Sequence, residues 1–134
     1  MGNAYQLYQH TDNLLKAVNE LDLPRLRNMV DDDFGIVDVD PEGKAVLIQN
    51  MEEWETYMEK NMIAMQEMHA RLAYEIDDYQ ERVSEDMAFV VVRFQQSVHI
   101  PEQEAMKHQC IATIVWKKAG EEWKEARWHC SRLE

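Results

Sequence analysis

Apolar residues from Ala4 to Leu21 recur at helical spacing: Ala4, Leu7, Tyr8, Leu14, Leu15, Val18 and Leu21, with polar residues between them. The spacing predicts an amphipathic helix over 4–21. In "LDLPRLRNMVDDDF", Asp22 suits an N-cap and Pro24 the first turn, where a missing N–H costs little. Leu23, Leu26, Met29 and Val30 give this short second helix an apolar side, and "DDD" reads as the loop that stops it. "FGIVDVDPEGKAVLI" reads as a hairpin. Phe34, Ile36, Asp38 and Asp40 share one face by period-two alternation. "DPEG" has the Asp, Pro and Gly placement of a tight turn. A third helix follows: Asn50 is the cap, Glu53 its capping-box partner, and Met51, Trp54, Met58, Met62 and Met65 fall along one side.

After residue 68 the period changes from helical to extended. "MHARLAYEIDDYQERV", "DMAFVVVRFQQSVHI", "KHQCIATIVWKKAG" and "EEWKEARWHCSRL" are long strand-like segments joined by short turns, which predicts an antiparallel meander. In the second of these, Val90, Val92, Phe94 and Gln96 share one face, and Phe89, Val91, Arg93 and Gln95 the other. In the last, regular pairing puts Trp123, Glu125, Arg127, His129 and Ser131 on one face, and Lys124, Ala126, Trp128 and Cys130 on the other. A bulge near "KAGE" would shift that register, so which face looks inward stays open. Helices first and strands last predict an α+β fold, with the helices packed in a curved, mostly antiparallel sheet.

Composition narrows the functional classes. The chain has 134 residues, 46% of them hydrophobic, which suits one domain over 1–134 with one core. Its net charge of −12 and the absence of a basic run argue against nucleic acid or an anionic membrane as partners. No apolar run approaches the roughly 18 residues of a membrane span. The polar start "MGNAYQLYQH" is not a secretory signal, and Gln6 stands where a myristoylation motif wants Ser or Thr. With two cysteines lacking CxxC spacing, the expected compartment is the cytoplasm, and Cys110 and Cys130 are expected as free buried thiols. The five histidines are scattered without metal-ligand spacing, so neither a metal nor a cofactor is expected.

The order of helix, short helix, hairpin, helix and four long strands resembles the nuclear transport factor 2-like superfamily, also called SnoaL-like or cystatin-like cone folds. "NELDLPRLRNMV" with the acidic cluster and "FGIVDVDPEG" carries part of the likeness, and "SEDMAFVVVRFQQ" another part. The closing "IVWKKAGEEWKEARWHCS" is the most specific segment. It is similar to the end of the association (hub) domain of calcium/calmodulin-dependent protein kinase. The resemblance implies a sheet wrapped around the first helix, a pocket opening inside the cone, and dimers formed through the outer face of the sheet. It covers nearly the whole chain and points to a fold that hosts many functions.

Several residues are candidates for chemistry. In the ketosteroid isomerase-like branch a general base sits beside this hairpin turn, before a proline, and Asp40 with Pro41 matches it. The branch also needs a phenol and a protonated acid, whose places here hold Leu14 and Ala112, so the matching electrophile is missing. Asp40 is equally explained by turn chemistry, with Asp38 beside it on a solvated face. Arg93 lies inside an apolar strand. By resemblance to the hub domain it would line a carboxylate-accepting pocket, although the hub's two assisting arginines are replaced by Ile114 and Cys130. Arg93 could equally sit at a subunit interface with its stem over apolar surface. His129 is a candidate acid or base, its ordinary pKa being near 6.5. Tyr8, Trp54, Tyr57, Trp116 and Cys130 are candidates for the walls of a ligand cavity.

Three functional classes follow. The first is a homodimeric small-molecule-binding cone domain, whose ligand is largely apolar or bears a carboxylate for Arg93. The second is a cofactor-free lyase, isomerase or cyclase using Asp40 or His129. The third is a hub-like oligomerisation module that needs no pocket.

Overall fold

The computed structural model describes residues 5–40 and 43–133. The elements are α1 (Tyr8–Asn19), α2 (Leu23–Met29), β1 (Val30–Val39), β2 (Ala45–Ile48), α3 (Met51–Glu67), β3 (Arg71–Val83), β4 (Met87–His99), β5 (Met106–Ala119) and β6 (Glu122–Arg132). The six strands form one curved sheet in the order β2-β1-β6-β5-β4-β3. The last four strands are the expected meander. β1 joins its edge by pairing parallel to β6, and β2 pairs back antiparallel on β1. The result is an α+β cone, open along one side.

Local chemistry sets the helix ends. Asp22 accepts the Arg25 N–H at 3.3 Å and starts α2. Asn50 accepts the Glu53 N–H at 2.9 Å, and the Glu53 carboxylate accepts the Gln49 N–H at 2.8 Å, which starts α3. α1 begins later than its spacing predicts. Its N-cap residue, Leu7, has no side-chain acceptor to offer. The acceptor comes from β3 instead: Glu81 takes the N–H of Gln6 at 2.7 Å and of Leu7 at 3.0 Å, and the Tyr79 hydroxyl donates to it at 2.6 Å. Residues 5–7 are thereby held as an approach to the helix rather than as its first turn.

The "DDD" segment is not a loop but the start of β1. It is an irregular start, because Val30 lies opposite Glu125 and Gly35 opposite Arg127, so β1 arches over two residues of β6. Asp31 accepts from the Asp33 N–H at 3.1 Å and from Lys117 Nζ at 3.3 Å, which ties down the arch. Of the "DPEG" turn, Pro41 and Glu42 lie outside the described residues. On either side of them the Gly43 N–H donates to the Asp40 carbonyl at 2.9 Å, and Gly43 has φ of 87°.

The core lies between the concave face of the sheet and the helices. Val90, Val92 and Phe94 of β4, with Ala112, Ile114 and Trp116 of β5, are buried against Leu7, Leu14 and Leu15 from the α1 side and Leu26 of α2. Full burial stabilises each large apolar side chain by about 1.5–3 kcal/mol, before chain entropy is set against it. The α3 stripe is shallower than its spacing suggests. Trp54 and Met58 are buried, but Met62 is 38% exposed. Among the described residues no helix is long and apolar enough to cross a membrane.

Candidate functional site

The register of β6 decides what faces the inside of the cone. On β5, Val115 pairs with Arg127 and Trp116 with Glu125, so Ala126 is an extra residue on β6. This is a β-bulge, and it inverts the facing of everything before it. After it Trp128 and Cys130 point inward, while Arg127, His129 and Ser131 are outward or exposed. At the bulge Glu125 and Ala126 are both buried, Glu125 with 2% of its surface accessible. Outward neighbours anchor both sides. Lys124 Nζ donates to the Asn28 carbonyl of α2, and the Arg127 guanidinium donates to the Asp33 carbonyl of β1 and to the Ala126 carbonyl at 2.8 Å. With residues 124 and 127 held outside, the carboxyl of Glu125 is left inside.

That carboxyl lines a cavity of about 300 Å³ between the sheet, α1 and α3. Trp54, Tyr57, Met58, Phe94 and Trp128 supply much of its wall, and the half-buried Asp38 of β1 joins Glu125 as its second inward acid. The strand register orders the cavity by depth. Glu125 lies beside Trp116, 1% accessible in the core, and Cys130 is beside Ala112 farther along the strand. Arg132 lies beside Cys110 toward the ends of β4 and β5, where exposure rises. There the Arg132 Nη2 is 3.3 Å from the His108 Nε2.

The two acids differ in electrostatics. Asp38 keeps some accessible surface, but it opens on the cavity, and burial pushes its pKa up to about 6. The Val39 N–H, 2.8 Å from Oδ1, works against that rise, as do the nearby Trp128 indole and Cys130 thiol. The Trp128 Nε1–H is close enough to favour the charged carboxylate, yet it completes no full hydrogen bond. Glu125 is pushed up to about 8, by burial first and by the Asp38 charge second. Its Oε1 has no hydrogen-bond partner. Burial thus raises both acids but Glu125 more, so of the two Asp38 gives up its proton first. Two acids pushed apart in this way can accept a proton at one point and donate one at another. The Tyr57 phenol is raised by burial and by Asp38, so it is a neutral donor. The Cys110 thiol and burial push Cys130 far above the ordinary thiol range, so it is no nucleophile.

The candidates chosen from sequence separate into three groups. Trp54, Tyr57 and Cys130 line the cavity, and Asp40 lies at its rim with Asp38 deeper in. Arg93 and His129 do not reach it. Strict alternation in β4 turns Val92 and Phe94 inward, so Arg93 lies exposed on the convex face, opposite Asp78 and Ile111 in register. His129 is exposed on the same face, opposite Thr113. Trp116 is 1% accessible and fills the core. Tyr8 packs edge-on against Tyr79, with ring centroids 4.8 Å apart, beside a separate open groove between α1 and β3. Leu14 and Ala112 are buried apolar residues, so the acid that keeps its proton comes from β6 instead. Among the described residues, no group of three or more His, Cys, Asp or Glu is arranged to hold a metal ion.

Sequence reasoning missed Asp38 and Glu125. The signal for Asp38 was present, since it alternates in phase with Phe34 and Ile36, both of which are buried. For Glu125 the only signal was the possibility of a bulge.

This architecture defines a class, the α+β cone domains with a cavity between sheet and helices. A family model described as a SnoaL-like domain matches residues 8–133, and the chain belongs to that family. Among solved structures it is similar to the association domain of CaMKII from C. elegans, with 21% identity, a TM-score of 0.72, and 93% of this chain and 92% of that one covered. It is similar to the CaMKII hub homology domain of Chlamydomonas reinhardtii, at 17% identity and a TM-score of 0.76, covering 96% of each chain. It is also similar to an NTF2-like protein of unknown function from Pseudomonas putida, at 17% identity and a TM-score of 0.72, covering 93% of this chain and 82% of that one. At these identities the likeness is one of fold. A comparison with curated proteins returns no match.

Proposed function

We propose that this chain is a small-molecule-binding cone domain whose ligand is largely apolar. The observation that carries the reading is the cavity of about 300 Å³, walled by aromatic and methionine side chains with few polar groups at its base. Because Arg93 lies on the convex face, a ligand carboxylate would not meet it inside. Trp54 and Trp128 stand in the wall, so a bound molecule should change tryptophan fluorescence. The test titrates arylalkyl amines, alcohols and acids against the wild type and against Met58→Trp, which fills the cavity. Saturable binding by the wild type, lost in the variant, supports the reading. Absence of binding by every compound, or equal binding to a folded Met58→Trp, defeats it.

A second reading concerns assembly, and the convex face favours it. Met87 and Phe89 are large exposed apolar residues there, Phe89 at 46%, with Val91, Ile111 and Val115 partly covered beside them. A half-apolar sheet face of this kind suits a second copy of the chain, and the fold's CaMKII hub relatives point the same way. In this reading Arg93 and His129 are interface residues. Sedimentation velocity should show a dimer or larger species, reduced to a monomer by Phe89→Glu. A monomeric wild type at tens of micromolar would sink this part of the proposal.

A further inference from the structure

Asp38 and Glu125 raise a question about what completes them. Buried carboxyls are ordinarily hydrogen-bonded, paired with a cation, or bound to a metal. Here the Glu125 Oε1 is buried and unpartnered in the cavity lining. Among the described residues, no cationic side chain shifts either acid. The ionisable groups around them are Asp40 just past β1, Tyr57 on α3, Cys110 and His108 on β5, and Cys130 and Arg132 on β6. Of these, the basic ones lie at the open end, farther from Glu125 in the strand register. Among the described residues, the Glu125 end of the cavity is therefore acidic with no cation beside it, and Asp38, level with Cys130, lies between that end and Arg132, while much of the wall is apolar.

We infer that the cavity selects an amphipathic amine: a small aromatic or aliphatic body carrying one protonated nitrogen, which lies between Asp38 and Glu125. The inference rests on the cavity being a ligand site and adds the chemistry of the ligand. The cavity's volume of about 300 Å³ matches the share of roughly ten liquid waters, room for one ring and a short alkyl arm. An ammonium placed between the acids supplies a donor to the Glu125 carboxyl group and the missing counter-charge. It also favours the ionised form of Glu125, so its arrival releases a proton to solvent, and binding strengthens as pH rises from about 5 to 8. The pH range follows from the two acids, pushed up to about 6 and about 8.

The test is calorimetry on the full chain with three probes of one shape: phenylpropylamine, phenylpropanol and phenylpropionate. At pH 8 the amine should bind at least about tenfold more tightly than the alcohol, the lower end of what one close opposite charge does to a buried acid. Its apparent heat should change with the ionisation enthalpy of the buffer, which reports proton release. Asp38→Asn with Glu125→Gln should erase the amine's lead over the alcohol, the ratio of the two affinities being read within the one variant. Glu125→Gln alone serves if the double variant does not fold, and should remove the proton release. An alcohol that binds as well as the amine overturns the inference and leaves the binding reading standing. A carboxylate that binds best also overturns it, and implicates the Arg132 end. Failure of all three probes defeats the binding reading itself.

Discussion

β4 and β6 belong to one sheet, separated only by β5, yet they use their side chains differently. β4 alternates without interruption from Val90 to Phe94, and over that stretch its inward residues are apolar and buried. β6 carries one extra residue, and the break turns an acid into the cone. A regular strand can build a wall from pattern alone, because alternation and burial agree along its length. Putting a carboxyl inside a largely apolar cavity takes an irregularity held by bonds from outside, here Lys124 to α2 and Arg127 to β1. Bulges beside sites commonly re-aim a side chain in this way.

The contrast can be broken first on the β4 side. Phe94→Ala should cost about 3–5 kcal/mol in urea denaturation, as truncation of a buried aromatic does. Phe89→Ala, one face away on the same strand, should cost under about 1 kcal/mol in the monomer. Equal losses would mean that the two faces of β4 are not distinct environments.

The next effect belongs to Glu125 and is read against pH. Its folded pKa, about 8, lies above the ordinary 4.5. Between those values the folded chain keeps a proton that the unfolded chain has lost, so stability falls as pH rises through that window and levels off above it. Asp38, raised from 3.8 to about 6, adds a loss of the same sign at lower pH. Glu125→Gln removes the larger part. Its stability relative to wild type should improve by on the order of 3 kcal/mol from pH 5 to pH 8. A flat difference across that range would show that Glu125 is not buried as a protonated acid.

The smallest effect sharpens the account of the bulge. Arg127→Ala removes the donor to the Asp33 and Ala126 carbonyls and should cost about 1 kcal/mol. It should also let Glu125 reach solvent, so the pH dependence above should weaken in this variant. Lost stability with an unchanged pH profile would mean that the bulge holds without Arg127.

These strands also mark what could be read from the sequence. The β4 faces were legible because apolar and polar residues alternate cleanly there, and the α3 start was legible because Asn50 and Glu53 form a capping pair. The "DDD" segment misled because a run of aspartates suits a loop. In the fold its charges are met by Lys117 and Arg127 across the sheet, contacts that no local pattern encodes. The site was the least legible part. Asp38 shares a face with Phe34 and Ile36, but an aspartate beside a turn invites a solvent-exposed reading. Glu125 depends on which of two adjacent residues the β5–β6 ladder skips, a choice made by tertiary contacts rather than by spacing.

The cavity's two helical walls are fastened unequally. α1 is tied to the sheet by polar bonds along its length: Glu81 at its start, Tyr74 to Asp12 at 2.6 Å in its middle, and Gln96 to Asn19 at 3.2 Å at its end. α3 is capped at its start and joined to α2 by the Arg27–Glu55 ion pair, but Met62 and Ile63 in its second half and Met68 just after it are exposed. One wall behaves as a beam pinned at three points and the other as a cantilever. A molecule passing in or out would therefore displace the second half of α3, around Asn61 and Met65, which line the cavity. Amide exchange should be faster there than along α1, and a bound ligand should slow it. Equal protection in the two helices would place the way in elsewhere.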